Sequence, residues 1–109
     1  MNEPRLIRKY ANRRLYDTVR SRYVNLADVR NLIADGTRVR VVEQSSSRDI
    51  TNSILLQIIG SMEKDEGALL TTGFLTDLIR AAGRDGDPGL PERLQTALRN
   101  ALPTPVLHQ

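Results

Sequence analysis

Apolar positions recur at strand spacing near the start of the chain and at helix spacing further along. Residues 5–10 alternate as a short strand in which neither face is purely apolar. Two more extended segments, residues 13–17 and 23–24, follow after turn-forming residues. This spacing predicts a small antiparallel ribbon of short strands.

One helix and one strand are predicted after the ribbon. Asn25 is a suitable N-cap for a helix over residues 26–34, and Gly36 stands where a C-terminal cap is expected. Residues 38–44 are rich in valine and largely alternate, which favours a strand.

Three amphipathic helices are predicted in the rest of the chain. They cover residues 51–64, 74–82 and 91–101, with Thr51 as the N-cap of the first and Pro91 in the first turn of the last. Their apolar stripes exceed what a small sheet can cover, so we expect the chain to form a dimer or tetramer, with packing inside one chain as the alternative. The predicted oligomer interface consists of Ile54, Leu55, Ile58, Ile59, Met62, Phe74, Leu75, Leu78 and Ile79.

The predicted fold class is therefore α+β, with a small antiparallel sheet or ribbon, a short helix and C-terminal helices used for oligomerisation. We expect two domains, residues 1–64 carrying the ribbon and residues 65–109 forming a helical interaction segment.

Positive charge is concentrated in the ribbon. Residues 1–22 contain seven Arg or Lys and two acidic residues, whereas residues 50–109 contain five basic and seven acidic residues. The net charge of +3 is thus localised, which favours one anion-binding face over a generally basic protein. Nucleic acid is the first candidate for the anion, because tyrosines are interleaved with the cations.

The residues that enzymes and metal sites need are scarce. Cysteine is absent and His108 is the only histidine, so we expect no thiol or histidine dyad, no metal and no cofactor. Asp17 and Asp49 have neighbouring arginines and turn or cap roles that explain them better than acid–base catalysis. The chain is predicted not to be an enzyme, to contain no membrane span and to lie in the cytoplasm.

The candidate DNA-binding residues are the cations, the tyrosines and one amide of the ribbon. Arginines can contact guanine in the major groove, while lysine neutralises phosphate. The alternatives are charged strands that prevent edge-to-edge aggregation, tyrosines that pack in a core, and an asparagine that forms a turn. The predicted site is Arg5, Arg8, Lys9, Tyr10, Asn12, Arg13, Arg14, Tyr16, Arg20 and Arg22.

The segment from Arg8 to Thr18, with Tyr23–Leu26 and Asp49–Thr51, resembles the N-terminal domain of the polyhydroxyalkanoate synthesis repressors, bacterial regulators of polyester-granule accumulation. The resemblance implies a DNA-binding module over about residues 5–64. It extends through residues 69–80, after which Ala81-Ala82-Gly83 replace the aromatic residues expected there.

Three functions follow from these observations as alternatives. The first is a DNA-binding transcriptional regulator, a repressor that acts as a symmetric oligomer. The second is a structural protein that coats a polyester granule or tethers a partner through its C-terminal helices. The third is RNA binding through the tyrosines.

Overall fold

The computed structural model describes residues 3–65, 67 and 69–102. The chain forms two compact units, Met1–Gly67 and Ala68–Gln109, called here the sheet unit and the helical unit. The sheet unit contains β1 (Arg5–Lys9), β2 (Leu15–Asp17), β3 (Arg22–Val24), α1 (Leu26–Ala34), β4 (Val39–Glu43) and α2 (Thr51–Asp65). The helical unit contains α3 (Thr72–Ala82) and α4 (Leu90–Ala101). The predicted α+β class is confirmed.

The four strands form one mixed sheet in the order β3-β2-β1-β4. Strands β1, β2 and β3 pair antiparallel as predicted, but β4 pairs with β1 in parallel. The predicted antiparallel ribbon is thus confirmed, and the structure adds the parallel pairing of β4, a strand for which no partner was predicted. The pairing is parallel because α1 carries the chain back after β3, so β4 runs in the same direction as β3 and β1.

Helix α1 is capped at both ends as predicted. The Asn25 side chain accepts a hydrogen bond from the Asp28 N–H at 2.8 Å, and the Asp28 carboxylate accepts one from the Asn25 N–H at 3.0 Å, which completes a capping box. After the helix, Gly36 has a φ of +98° and donates to Ile33, while Thr37 donates to Leu32. These two bonds form a Schellman motif, which needs the left-handed conformation that glycine adopts easily.

The start of α2 differs from the prediction that Thr51 caps it. Thr51 already belongs to the first helical turn, and the Asp49 carboxylate accepts its N–H at 2.9 Å. The Thr51 hydroxyl instead accepts the N–H of Val41 at 2.8 Å. The hydroxyl therefore ties α2 to β4.

The core of the sheet unit lies on one face of the sheet, under α1 and α2, and is entirely aliphatic. Its buried members are Ile7, Leu15, Val29, Val41, Ile54 and Ile58. This corrects part of the predicted oligomer interface: Ile54 and Ile58 are buried here, and Leu55 and Met62 pack against the same cluster. The sheet needs that stripe of α2 to cover its own apolar face, so only Ile59 of the predicted α2 residues is classed as exposed.

The helical unit contains two amphipathic helices without a buried residue in either α3 or α4. The Thr71 hydroxyl caps α3 by accepting the N–H of Phe74 at 3.0 Å, and Pro91 lies in the first turn of α4 as predicted. Apolar side chains of both helices remain exposed, among them Phe74, Leu75, Ile79, Leu94 and Leu98.

Candidate nucleic-acid interface

The basic segment forms the tip of the β1–β2 hairpin. The Tyr10 N–H donates to the Arg14 carbonyl at 2.9 Å, and the Arg13 N–H donates to the Tyr10 carbonyl at 2.8 Å. The tip is thus a three-residue loop, with Arg13 in the left-handed region at a φ of +68°. Glycine is the usual residue at this loop position, so an arginine there implies a modest conformational cost.

Asn12 holds this loop together. Its side-chain oxygen accepts the N–H of Arg14 at 3.0 Å, which gives Asn12 the turn role that we considered beside base recognition. The same bond fixes the backbone on which the two arginines of the tip are mounted.

Three cations meet at this end of the sheet. Lys9, Arg13 and Arg14 line one groove together with Gln57 of α2 and residues of β3 and α1. Arg13 and Arg14 are exposed, whereas Lys9 is half-buried. A single carboxylate, Asp28, also lines this groove among the residues that the structure describes. The groove mouth is therefore suited to an anionic ligand.

Arg14 is held in place by an aromatic ring. Its guanidinium carbon lies 3.9 Å from the centre of the Tyr23 ring, within the distance of a cation–π contact. Arg8 lies further along β1 and donates to the Gln44 side chain at 3.3 Å. Both guanidinium groups are thus oriented before any ligand arrives.

The tyrosines pack against one another outside the aliphatic core. Ring centres of Tyr10, Tyr16 and Tyr23 lie 5.3 to 6.3 Å apart in edge-to-face pairs. None belongs to the core cluster, and Tyr23 is 45% exposed. The tyrosines therefore do not pack in the aliphatic core, which was one alternative. They form a cluster on the opposite face of the sheet.

Arg5 lies apart from these groups in an ion pair with Asp17. The Arg5 guanidinium donates to the Asp17 carboxylate at 2.9 Å, and the two side chains are 18% and 1% exposed. Burial acts to raise the pKa of Asp17, but the N–H groups of Arg20 and Val19 and the Arg5 guanidinium outweigh it and hold that pKa below its ordinary value. Arg5 therefore has a structural role.

Arg20 and Arg22 lie away from the hairpin tip. They line a separate groove with the acidic side chains of Asp17, Asp28 and Asp35. Carboxylates compete with an incoming anion there, so this groove is poorly suited to phosphate.

Two residues outside the predicted site belong beside it. Tyr23 holds Arg14, and Arg40 lies on the same sheet face as Arg8 by strand alternation and register. Arg40 and Val42 alternate with Val39 and Val41 along β4. This alternation could have placed Arg40 on the sheet face that points away from the core. The stacking of Arg14 on Tyr23 depends on the register of β2 and β3, which spacing alone does not give.

The described parts of the chain contain neither a metal-binding cluster nor a membrane-spanning helix. Residues 3–65, 67 and 69–102 contain no group of three or more histidine, cysteine or acidic side chains placed to hold a metal ion. No helix within these ranges is both long and apolar enough to cross a membrane.

The family comparison agrees with this geometry. Residues 6–66 match the model of the PHB/PHA accumulation regulator DNA-binding domain. The chain belongs to this family. The match begins in β1 and ends just after α2, so the family domain coincides with the sheet unit, while α3 and α4 lie outside it.

Two curated proteins are similar over a longer stretch. A Thiocystis violacea protein described as an uncharacterized protein in the phbA 5′ region is 51% identical over 83 residues, which are 76% of this chain and 60% of that protein. An uncharacterized protein of Allochromatium vinosum is 48% identical over 83 residues, 76% of this chain and 54% of that protein. The chain thus spans little more than half the length of these relatives. No solved structure matches it significantly.

Proposed function

We propose that this member of the PHB/PHA accumulation regulator family is a cytoplasmic transcriptional repressor that binds duplex DNA with the tip of its β1–β2 hairpin. The observation that carries the proposal is the exposed pair Arg13 and Arg14, mounted on a fixed turn in the unit that matches a DNA-binding domain. The description of the Thiocystis violacea relative, in the phbA 5′ region, supports a role near polyester genes.

The size of the hairpin supports insertion into the major groove. Two paired strands lie about 4.8 Å apart, whereas the groove is about 12 Å wide, so a two-stranded tip with its side chains fits. Arg14, already held over the Tyr23 ring, is the best candidate for a bidentate contact to guanine. Lys9, Arg13 and Arg8 then neutralise neighbouring phosphates.

Self-association through the helical unit supports repression. Phe74, Leu75 and Ile79 of α3 are 46%, 41% and 72% exposed, so a second copy of this helix could pack against its apolar stripe. A two-fold pairing of these stripes brings two hairpins to related half-sites, and an occupied promoter excludes the polymerase. Coating of a polyester granule or tethering of a partner through the C-terminal helices stays the alternative prediction.

The test compares two double variants in gel-shift titrations against duplexes selected from a random pool. Arg13→Gly with Arg14→Ala removes two cations while glycine keeps the left-handed turn, and we expect specific affinity to fall on the order of 100-fold. Arg84→Ala with Arg99→Ala removes the same charge from the helical unit and serves as the control. For the three phosphates assigned to Lys9, Arg13 and Arg8, log affinity against log salt should have a slope of about −3 per hairpin.

Equal weakening by both double variants would reject a specific role for the hairpin. Unchanged binding by the Arg13→Gly, Arg14→Ala protein, with helical content preserved by circular dichroism, would reject it as well.

A further inference from the structure

One face of the sheet is turned away from the core and is lined by aromatic and basic side chains. Ile7 and Val41 pair across the sheet and are buried in the core, so the alternate row points the other way. That row contains Tyr23, Tyr16 and Arg8 on three adjacent strands and ends on β4 at Val42, which is buried. We call it, together with Tyr10 and Arg14 at the hairpin end, the tyrosine–arginine face.

Aliphatic packing does not account for the tyrosine–arginine face. The core cluster lies on the opposite side of the sheet and includes no tyrosine. Tyr23 stands on the edge strand β3, is 45% exposed, and has Arg14 over its ring at 3.9 Å. Tyr16 and Tyr23 form a cross-strand pair that helps to hold the sheet, and the exposed ring of Tyr23 with Arg14 over it also presents an aromatic and cationic surface at the edge of the sheet.

The charge of this face is positive. Within the part of the chain that the structure describes, Arg8 and Arg14 form no ion pair with a carboxylate. Arg8 bonds to an amide, and Arg14 stacks on a ring. Arg40, on the same face, pairs with Asp49, and both of these side chains are more than half exposed. An exposed pair of this kind is weak, so an anion can compete for Arg40.

We propose that the tyrosine–arginine face binds unpaired nucleotides, with a base stacked on the Arg14 guanidinium, which itself lies on the Tyr23 ring, and with phosphates neutralised by Arg8 and Arg40. Every base has a π-face that stacks on tyrosine or guanidinium, and a basic sheet carrying exposed aromatics is a recurrent platform for single strands. This mode uses Arg8 and Arg14, which the proposed duplex contact also uses, so the two ligands would compete for the same side chains.

Dimensions separate the two modes of binding. Four strands at about 4.8 Å spacing span roughly 14 Å before side chains are counted, which exceeds the major-groove width of about 12 Å. The full face cannot enter a duplex groove, and the base faces inside a duplex are covered by their neighbours. Unpaired bases need no groove to be entered, and their faces are free to stack on side chains.

The test measures fluorescence anisotropy of a labelled mixed-sequence 12-nucleotide strand, as DNA and as RNA, and of the matching DNA duplex. We expect Tyr23→Leu to weaken binding of both single strands by about tenfold or more, while Tyr23→Phe, which keeps the ring, stays within about twofold of the wild type. Stronger binding of one strand chemistry then identifies the natural class of ligand.

Equal affinities of wild type and Tyr23→Leu for both strands, with unchanged circular dichroism, would overturn the proposal, as would single-strand binding too weak to detect in the wild type. Duplex binding measured on the same samples separates the outcomes. If the wild type binds the duplex but no single strand, this inference alone is rejected. If the wild type binds neither the duplex nor a single strand, the proposed function is rejected too.

Discussion

The sheet unit and the helical unit differ in how far they bury their apolar side chains. In the sheet unit, α1 and α2 cover one face of the sheet and leave six aliphatic side chains buried. In the helical unit, α3 and α4 bury none of their residues, although each carries an apolar stripe. The first unit holds a core of its own, and the second presents the same kind of side chain to water.

Because of this difference, we expect substitutions in the two units to change different properties of the protein. Substitutions in the core of the sheet unit should change the free energy of unfolding, because they leave cavities. Substitutions in the stripes of the helical unit should change association instead, if those stripes pair with a second copy. All three tyrosines lie in the sheet unit, so tyrosine fluorescence reports on that unit alone.

The largest contrast is expected between two isoleucines in helices. Ile54 is 2% exposed and Ile79 is 72% exposed. Ile54→Ala should lower the free energy of unfolding by about 4 kcal/mol, whereas Ile79→Ala should change it by less than about 0.5 kcal/mol. Urea titration followed by tyrosine fluorescence measures both, and sedimentation should show weaker self-association for Ile79→Ala only. Similar losses of stability would contradict the division into two units with separate packing.

A smaller contrast separates two aspartates. Asp17 is 1% exposed and bonded to Arg5, whereas Asp77 lies on the exposed surface of α3. Asp17→Ala strands a largely buried guanidinium and two N–H donors, so it should cost about 3 kcal/mol, and Asp77→Ala should be close to neutral. The same urea titration decides, and equal values for the two variants would mean that the buried pair contributes nothing specific.

The Asp17 pair also predicts a dependence on pH. Because the folded pKa of Asp17 is depressed, its stabilising effect is complete above the unfolded pKa of about 4 and is lost as pH falls through the lower folded value. The sheet unit of the wild type should therefore weaken in acid. Asp17→Asn should show a flatter pH profile, and an identical profile would assign the acid sensitivity to other carboxylates.

The smallest effect concerns a residue within the sheet unit that is exposed yet constrained. Arg13 has a φ of +68°, so Arg13→Gly should raise the free energy of unfolding by about 0.5–1 kcal/mol, whereas Arg13→Ala should not. Thermal unfolding followed by tyrosine fluorescence provides the measurement. A glycine variant no more stable than the alanine variant would show that the turn imposes no strain on arginine.

Local signals in the sequence predicted most elements of the fold. The Asn25 cap, Gly36 and the valines of β4 each act within a few residues, and the structure confirms all three. The parallel pairing of β1 with β4 was not predicted, because it joins segments more than thirty residues apart. The same limit applies to the α2 stripe: periodicity identifies an apolar face but does not tell whether a sheet or a second chain covers it.

The candidate site was predicted as a list of residues and not as an arrangement. Spacing grouped Arg5, Arg20 and Arg22 with the arginines of the hairpin tip, although Arg5 pairs with Asp17 and the other two lie beside carboxylates. Which of these arginines lie together depends on strand register, because a shift of one residue moves every side chain of a strand to the other face of the sheet. The role of Tyr23 in holding Arg14 is also a consequence of register.

The parallel pairing of β1 and β4 also has a consequence for the order in which the chain folds. β1 is an inner strand of the sheet, yet one of its two neighbours is synthesised some thirty residues later. The β1–β2 hairpin can close at once, but its parallel edge stays unpaired until residues 39–43 have left the ribosome. Closing that long loop is the slowest step to be expected, so substitutions in β4 should slow folding more than equally destabilising substitutions in β3.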